Sequence, residues 1–329
     1  MDLRNAVLAT IAYYDVFDFP LTSLEIYRYL INPARLEKNL DGVGDIQLSD
    51  IRATLDDLIR VERAVEYRGF YFLSEDRILI YDKRIAKEKL ATRKWKKLVR
   101  IAWWFQLIPY LKAILISGSM AMHNADEQSD FDVLAIVKNG RMYTCRIILS
   151  AVASLFSARR KRFDLVAPDK FCFNHYITDN QLEIKHESLY NAQTYVNLRP
   201  VFVRGNVFED LYRENPWLHK YVYNFQPSFN YEKLGVQSNY LFQLFARLGE
   251  FILDTPVGFI IESIFRWYQQ RRIRRNATTY APGGRTLFDD SQLEFHPHSA
   301  ERLIIERYNA TISHLGTFWN YSELDSGLK

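Results

Sequence analysis

Apolar positions in the first part of the chain recur every three or four residues in three separate stretches, which predicts three helices. Thr22 followed by Glu25 has the form of a capping box at the start of the second helix, and Ser49 is placed to cap the third. Two short apolar runs on either side of Gly69 predict a β-hairpin. Three helices and a hairpin are typical of a winged helix-turn-helix domain, which we place at residues 1–80.

This N-terminal domain has two interpretations, DNA binding or a role in packing and dimerisation. The third predicted helix, SDIRATLDDLIR, contains Asp50, Asp56 and Asp57 but only two arginines. A recognition helix in the major groove presents mainly Arg, Lys, Asn or Gln to bases and phosphates. The acidic composition therefore favours the packing role, and DNA is kept as an alternative partner.

Residues 81–111 are predicted to form a basic linker helix, with nine lysines and arginines between Lys83 and Arg100. A run of this kind usually forms a solvated helix face. Because it immediately precedes the central segment, it is also placed to line the approach of a phosphate-rich ligand.

The pattern changes over residues 112–182, where apolar runs of strand length alternate with helical segments. The strands are KAILIS, FDVLAIV, RFDLVA and FCFNHYI, which predicts a small mixed sheet with helices, an α/β (α+β) unit. Residues 183–329 are predicted to form a helical C-terminal domain. Within it, the aromatic helices of residues 231–275 are expected to be core, and their arginine-rich end is expected to be a solvated helix terminus.

Composition narrows the class of protein. The chain has 329 residues, 48% apolar residues and a formal net charge of +4, so it is long enough for several packed units and mildly basic. Cys145 and Cys172 have neither disulfide nor zinc-ligand spacing. The apolar run Pro256 to Phe265 is too short for a bilayer span and contains Glu262. We therefore expect a cytoplasmic protein without a membrane partner; no feature of the sequence indicates its oligomeric state.

Two carboxylates occupy alternate positions at the start of the FDVLAIV strand. Residues i and i+2 of a strand point to the same side, so Asp130 and Asp132 project together. Two ionised carboxylates at that separation repel each other, and a divalent cation between them relieves the repulsion. The pattern predicts a Mg²⁺ (or Mn²⁺) site, since these ions prefer hard oxygen ligands and share phosphate oxygens with their substrates.

A Gly-Ser pair follows the preceding strand. Gly118 allows a close approach of the backbone, and Ser119 offers a hydroxyl and an amide where the next helix begins. A phosphate bound there would lie next to a metal on the two aspartates, which favours nucleotide chemistry.

The stretch GSMAMHNADEQSDFDVLAIV resembles the signature of the DNA polymerase β-type nucleotidyltransferases, and most closely their minimal nucleotidyltransferase branch. The matching positions are Gly118, Ser119, Ser129, Asp130 and Asp132. The resemblance covers about residues 112–169. It implies that the glycine and the two serines bind nucleotide and that the aspartates hold metal.

The family also requires a third carboxylate on a later strand. Asp164 in RFDLVA fits that position, as a metal ligand and catalytic residue; if FCFNHYI is the equivalent strand, the position is Asn174. Many relatives carry an arginine soon after Gly-Ser, where this chain has Met120 and Met122. His123, Asn124 or a basic residue from elsewhere in the chain are the candidates to replace it.

The resemblance implies transfer of NMP from an NTP to a hydroxyl acceptor with release of pyrophosphate. The acceptor is expected to be a protein or a small molecule, because no RNA-binding module is evident. The alternative is a winged-helix DNA-binding regulator whose second domain senses a nucleotide, or a non-catalytic scaffolding protein.

Overall fold

The structure is a computed structural model that describes residues 3–36, 44–161, 164, 166–227, 235–280, 284–296, 299–316 and 321–326. It is a mixed α/β molecule with two sheets, which confirms the fold class at that level.

The N-terminal part contains the predicted three helices and hairpin. Its elements are α1 (Leu3–Asp15), β1 (Leu21–Thr22), α2 (Ser23–Arg28), α3 (Leu48–Arg60), β2 (Val65–Tyr67) and β3 (Phe70–Phe72). The three strands form an antiparallel sheet in the order β1-β3-β2. Thr22 and Glu25 form the predicted capping box of α2. Ser49 is not the N-cap of α3, because that helix begins at Leu48 and its N-cap residue is Gln47.

A long helix and the main sheet follow. They comprise α4 (Ile80–Ala102), β4 (Leu111–Ile116), α5 (Gly118–Ala121), β5 (Phe131–Val137), α6 (Met142–Leu155) and β6 (Phe171–Thr178). β4 and β5 are antiparallel neighbours, whereas β5 and β6 are parallel and are connected through α6. A parallel connection needs such a crossover helix.

The C-terminal part is not entirely helical, contrary to the prediction. It contains α7 (Leu189–Val196), β7 (Arg199–Val203), α8 (Val207–Arg213), α9 (Leu218–Tyr221), α10 (Tyr240–Leu253), α11 (Pro256–Arg274), β8 (Arg285–Phe288), β9 (Gln292–His296) and α12 (Glu301–His314). Its three strands extend the main sheet to six, in the order β7-β4-β5-β6-β9-β8. Short strands of this kind form because they pair with an edge strand of the sheet. The periodicity of a single sequence does not show which segments pair.

Alternate side chains of β4 and β5 supply two separate apolar clusters, one on each face of the sheet. Leu115 and Leu134 pack with α1, α7 and α12, whereas Ile116 and Val133 pack with α4 and α6. The sheet is therefore buried on both faces, which explains the nearly continuous apolar runs of its central strands.

The helices α10 and α11 are not core, contrary to the expectation from their composition. Phe245, Phe251, Phe259 and Trp267 are each at least 59% exposed. No helix among the described residues is long and apolar enough to cross a membrane.

Candidate metal and nucleotide site

The predicted site residues meet at one edge of the six-stranded sheet. β4 ends at Ile116, and the next residue, Ser117, donates its N–H to the Asp132 carbonyl at 3.0 Å. β5 begins at Phe131, opposite Phe171, the first residue of β6. Since β5 is antiparallel to β4 and parallel to β6, the end of β4 and the starts of β5 and β6 lie at the same edge.

Asp130 and Asp132 lie together, as strand alternation predicts. Ligand atoms of these two carboxylates and of the Cys172 thiol all lie within 4.8 Å of one another. Burial, and then the nearby Asp130 carboxylate, raise the pKa of Asp132 to about 7. Desolvation and a like charge both disfavour the ionised carboxylate. Together these two effects on Asp132 outweigh the opposite effect of the nearby Arg160 guanidinium.

Glycine is required at position 118 by both its backbone conformation and its neighbour Asp132. Its φ of +64° lies in the left-handed region, which residues with a Cβ atom rarely adopt. A Cβ at this position would lie 2.9 Å from Oδ2 of Asp132. The glycine thus lets the backbone of the Gly-Ser turn approach the metal-site carboxylate directly.

Ser119 and Ser129 are connected to each other at the same edge. The Ser119 hydroxyl donates to the Ser129 hydroxyl at 3.3 Å, and the latter donates to the Asp126 carboxylate at 2.9 Å. The backbone N–H of Asp126 returns a hydrogen bond to the Ser129 hydroxyl at 2.9 Å. Ser129 therefore holds the turn before Asp130 in shape, in addition to any contact with a ligand.

Asp164, the residue predicted as the third carboxylate, lies outside the cluster that Asp130, Asp132 and Cys172 form among the described residues. The described residues of RFDLVA, which are Asp164, Val166 and Ala167, are not in a strand. The Asp164 carboxylate accepts hydrogen bonds from the Lys161 N–H and the Lys170 ammonium, and the first of these contributes most to lowering its pKa.

Asn174 occupies the alternative third position, on the strand adjacent to Asp132. FCFNHYI forms β6, the parallel neighbour of β5, and the Asn174 side-chain amide donates to Oδ1 of Asp132 at 3.0 Å. The described cluster therefore contains two carboxylates and a neutral amide. Burial, reinforced by the two aspartates, raises the pKa of the Cys172 thiol to about 12, so it is protonated near neutral pH.

Arg160 is a site residue that the sequence analysis missed. Its guanidinium donates to Oδ2 of Asp130 at 2.5 Å and to the Asp164 carbonyl at 3.3 Å. The basic run ARRKR, residues 158–162, was the available signal, but nothing in the sequence shows that Arg159 pairs with Phe171 and so brings Arg160 to the start of β5.

Lys94 is a second residue that only the structure identifies. It is 5% exposed, and its ammonium donates to the carbonyls of Glu127 at 3.0 Å and Ser129 at 2.9 Å. It also forms an ion pair with Asp169 at 3.0 Å. The basic helix α4 thus holds the loop that leads into Asp130, rather than serving only as a solvated face.

His123 and Asn124, the two residues predicted to interact with a phosphate after the Gly-Ser turn, both have other environments in the structure. Burial, and then the positive charge of Arg199, lower the pKa of His123 to about 4, so its imidazole is neutral near pH 7. The Asn124 amide donates to the Phe17 carbonyl at 3.1 Å. The remaining candidate is a basic residue from elsewhere, and Arg160 is the cation that contacts the aspartate pair.

Comparison with models of protein families, with curated proteins and with solved structures gives no significant match to this chain. The functional argument therefore depends on the site itself.

The donor set of this site suits a hard divalent cation. Asp130 and Asp132 offer carboxylate oxygens, and the raised pKa of Asp132 indicates a carboxylate whose ionised form needs a nearby positive charge. A protonated thiol is a poor ligand, so Cys172 adds little. Mg²⁺ and Mn²⁺ accept two carboxylates and complete their coordination with water or phosphate oxygens.

Proposed function

We propose that the protein is a metal-dependent nucleotidyltransferase that transfers NMP from an NTP to a hydroxyl group on a protein or a small molecule. The observation that supports it best is the juxtaposition of Asp130 and Asp132 directly against the Gly118 turn. The resemblance of this stretch to polymerase β-type enzymes implies the same chemistry.

In this proposal Asp130 and Asp132 hold Mg²⁺ or Mn²⁺. The metal would neutralise negative charge on the phosphate oxygens of the bound nucleotide. The amide and hydroxyl of Ser119, next to Gly118, donate hydrogen bonds to the phosphates. Once a metal neutralises Asp130, the Arg160 guanidinium is available to bind phosphate, which is the role that relatives give to the arginine after Gly-Ser.

The reaction is an in-line displacement at the α-phosphorus. The acceptor oxygen forms a bond to that phosphorus, and the bond to the oxygen that bridges the α- and β-phosphates breaks. Pyrophosphate leaves with the bonding electron pair, and the hydroxyl proton passes to solvent. This chain's contribution is to position the phosphates and the acceptor and to stabilise the developing charge.

The N-terminal helices resemble a winged helix, but their charges do not favour DNA as the acceptor or partner. On α3, Asp57 is paired with Arg4 at 3.3 Å and with Arg60 at 2.9 Å. Asp50 and Asp56 are exposed on the same helix. These acids would meet the phosphate backbone and repel it.

The test is incubation with each NTP labelled at the α-phosphate, with Mg²⁺ or Mn²⁺ and a cell lysate. We expect label on protein or small molecules. Asp132→Asn should reduce transfer by a factor of about 100 or more, since the metal site loses its buried carboxylate. Arg160→Gln should raise the KM for NTP while strengthening binding of the metal alone, because it removes a competing cation.

Asp56→Asn, on the exposed face of α3, is the matched control and should transfer label as the parent does. Full transfer by Asp132→Asn would refute the proposed mechanism.

A second candidate function is nucleotide sensing without transfer, and Asn174 is the observation that favours it. The amide stands where catalytic relatives have a third carboxylate, so the second-metal position loses a charged ligand. Calorimetry that detects binding of the metal–NTP complex, together with no labelled product from any lysate, would support sensing over transfer.

A further inference from the structure

The helices α10 and α11 form a hairpin that presents apolar side chains to solvent. More than half of the exposed large hydrophobic side chains of the described residues belong to it. They include Phe251 at 77% exposed, Ile260 at 60% and Trp267 at 63%. Scattered exposed apolar residues are normal, but so many on two consecutive helices usually mark an interaction surface.

Specific hydrogen bonds fix the direction in which α11 faces. The Glu262 carboxylate is 9% exposed and accepts the backbone N–H groups of Tyr143 at 2.9 Å and Thr144 at 2.8 Å, in the first turn of α6. Two turns further along α11, the Gln269 side chain accepts a hydrogen bond from Arg146 at 2.7 Å and donates one to the Tyr143 carbonyl at 3.0 Å. The polar side of α11 is therefore turned inward, the reverse of an ordinary surface helix.

The helix α10 and the hairpin turn are anchored in a similar way. Glu250 accepts the Tyr110 N–H at 2.8 Å. Asp254 in the turn forms ion pairs with Lys138 and Arg141, each at 3.0 Å. These contacts leave the apolar sides of both helices outward.

The charges of the hairpin point to an anionic partner. α11 ends in exposed arginines, of which Arg272 and Arg275 form no ion pair within the part of the chain that the structure describes. The acids Glu250, Asp254 and Glu262 are engaged in the contacts described above. Trp267 and the exposed Tyr268 lie between the apolar stretch and the arginines, the order found where a helix meets a lipid surface.

We propose that the α10–α11 hairpin binds the surface of an anionic lipid bilayer, with its apolar face at the boundary of headgroups and acyl chains. α10 has 14 residues and α11 has 19, so they are about 21 Å and 28 Å long. They lie in the plane of the interface, and the arginines contact the acidic headgroups. Surface attachment needs no membrane-spanning helix.

A second copy of the chain fits the face less well. It would cover the apolar side chains, but it would bring the same arginines, and the acids of its own hairpin are already paired. Anionic headgroups complement both the apolar and the basic parts of this surface.

The test is co-sedimentation of the full chain with vesicles of phosphatidylcholine, with or without phosphatidylserine. We expect binding to the mixed vesicles that weakens with added salt, and little binding to phosphatidylcholine alone. Phe251→Ser and Ile260→Ser should each weaken binding about tenfold. Arg272→Gln and Arg275→Gln should each weaken it about fivefold.

Two exposed residues outside the hairpin serve as matched controls. Leu79→Ser, at 82% exposed, and Arg52→Gln on α3 should bind as the parent does. Equal binding to both vesicle types, or no loss in the hairpin variants, would overturn the proposal. So would sedimentation velocity that shows a dimer disrupted by Phe251→Ser in a protein that does not bind vesicles.

Discussion

Asp132 is the residue whose surroundings most directly favour a metal. Its side chain lies between Asp130, Cys172 and Asn174, and its pKa is raised to about 7 by burial and by Asp130. The opposite positive charge at this cluster comes from Arg160, which contacts Asp130 rather than Asp132. A buried carboxylate in this situation is costly when ionised unless a cation is added.

We expect Asp132→Asn to stabilise the metal-free protein above pH of about 7 and to have little effect below pH of about 4. Because the pKa of Asp132 is raised, the folded state holds this proton more tightly than the unfolded state, and its stability falls as pH rises through that range. The difference in free energy of unfolding between Asp132→Asn and the parent should grow by about 1.4 kcal/mol per pH unit between these two pH values. Urea denaturation measures it.

Metal binding should reverse this effect, since Mn²⁺ or Mg²⁺ displaces the proton. Affinity of the parent for Mn²⁺ should rise about tenfold per pH unit below pH of about 7. Asp56→Asn is the control for the loss of one exposed carboxylate. A parent protein that is more stable than Asp132→Asn at high pH without metal would contradict the expectation.

At the scale of elements, α4 acts on the site through its lysines. Lys94 contacts two carbonyls of the loop before β5 and the Asp169 carboxylate, whereas Lys97 forms an ion pair with Asp169 at 2.8 Å. The two lysines differ in burial: the Lys94 side chain is 6% exposed, whereas that of Lys97 is 52% exposed. They therefore form a matched pair for testing this contact.

Lys94→Met should destabilise the fold by about 1–3 kcal/mol, because it removes one buried donor from the carbonyls of Glu127 and Ser129 and from the Asp169 carboxylate. It should also weaken Mn²⁺ binding, since the loop that carries Asp130 loses its support. Lys97→Met should cost less than about 1 kcal/mol, as an exposed ion pair does. Thermal denaturation and calorimetry measure the two effects; equal losses in both variants would exclude the loop-holding role.

At the scale of the whole molecule, buried ion pairs connect regions that are distant in sequence. Arg285 on β8 is 7% exposed and pairs with Glu294 on β9 at 2.6 Å and with Glu301 on α12 at 3.5 Å. Near the C-terminal end, Glu323 pairs with Arg35 of the N-terminal part at 2.6 Å. These pairs connect α12 to the main sheet and the segment around Glu323 to the N-terminal part.

Arg285→Met should destabilise the protein by about 3–5 kcal/mol, because it leaves the buried Glu294 and Glu301 carboxylates without a counter-charge. Arg213→Met, which removes an exposed pair with Asp210, is the control and should cost less than about 1 kcal/mol. A small effect of Arg285→Met at neutral pH, measured by urea denaturation, would contradict this account.

The sequence was sufficient for features that depend on local spacing. Strand alternation brings Asp130 and Asp132 to one side, and the capping box of α2 forms as predicted, because both depend on residues two or three apart. The mixed α/β class followed from the same periodicities. By contrast, the sequence could not choose between Asp164 and Asn174 for the third position, because no local signal shows that FCFNHYI forms β6 and pairs with β5.

Only the tertiary structure decided which distant groups meet. Arg160 reaches Asp130 because its neighbour Arg159 pairs with Phe171, and Lys94 reaches Ser129 from another helix. The strands β7, β8 and β9 join the sheet by pairing with strands formed elsewhere in the chain. The outward apolar face of α11 likewise depends on Glu262 meeting the first turn of α6. Periodicity reports which side of an element is apolar, but the partners of its polar side determine which way that element turns.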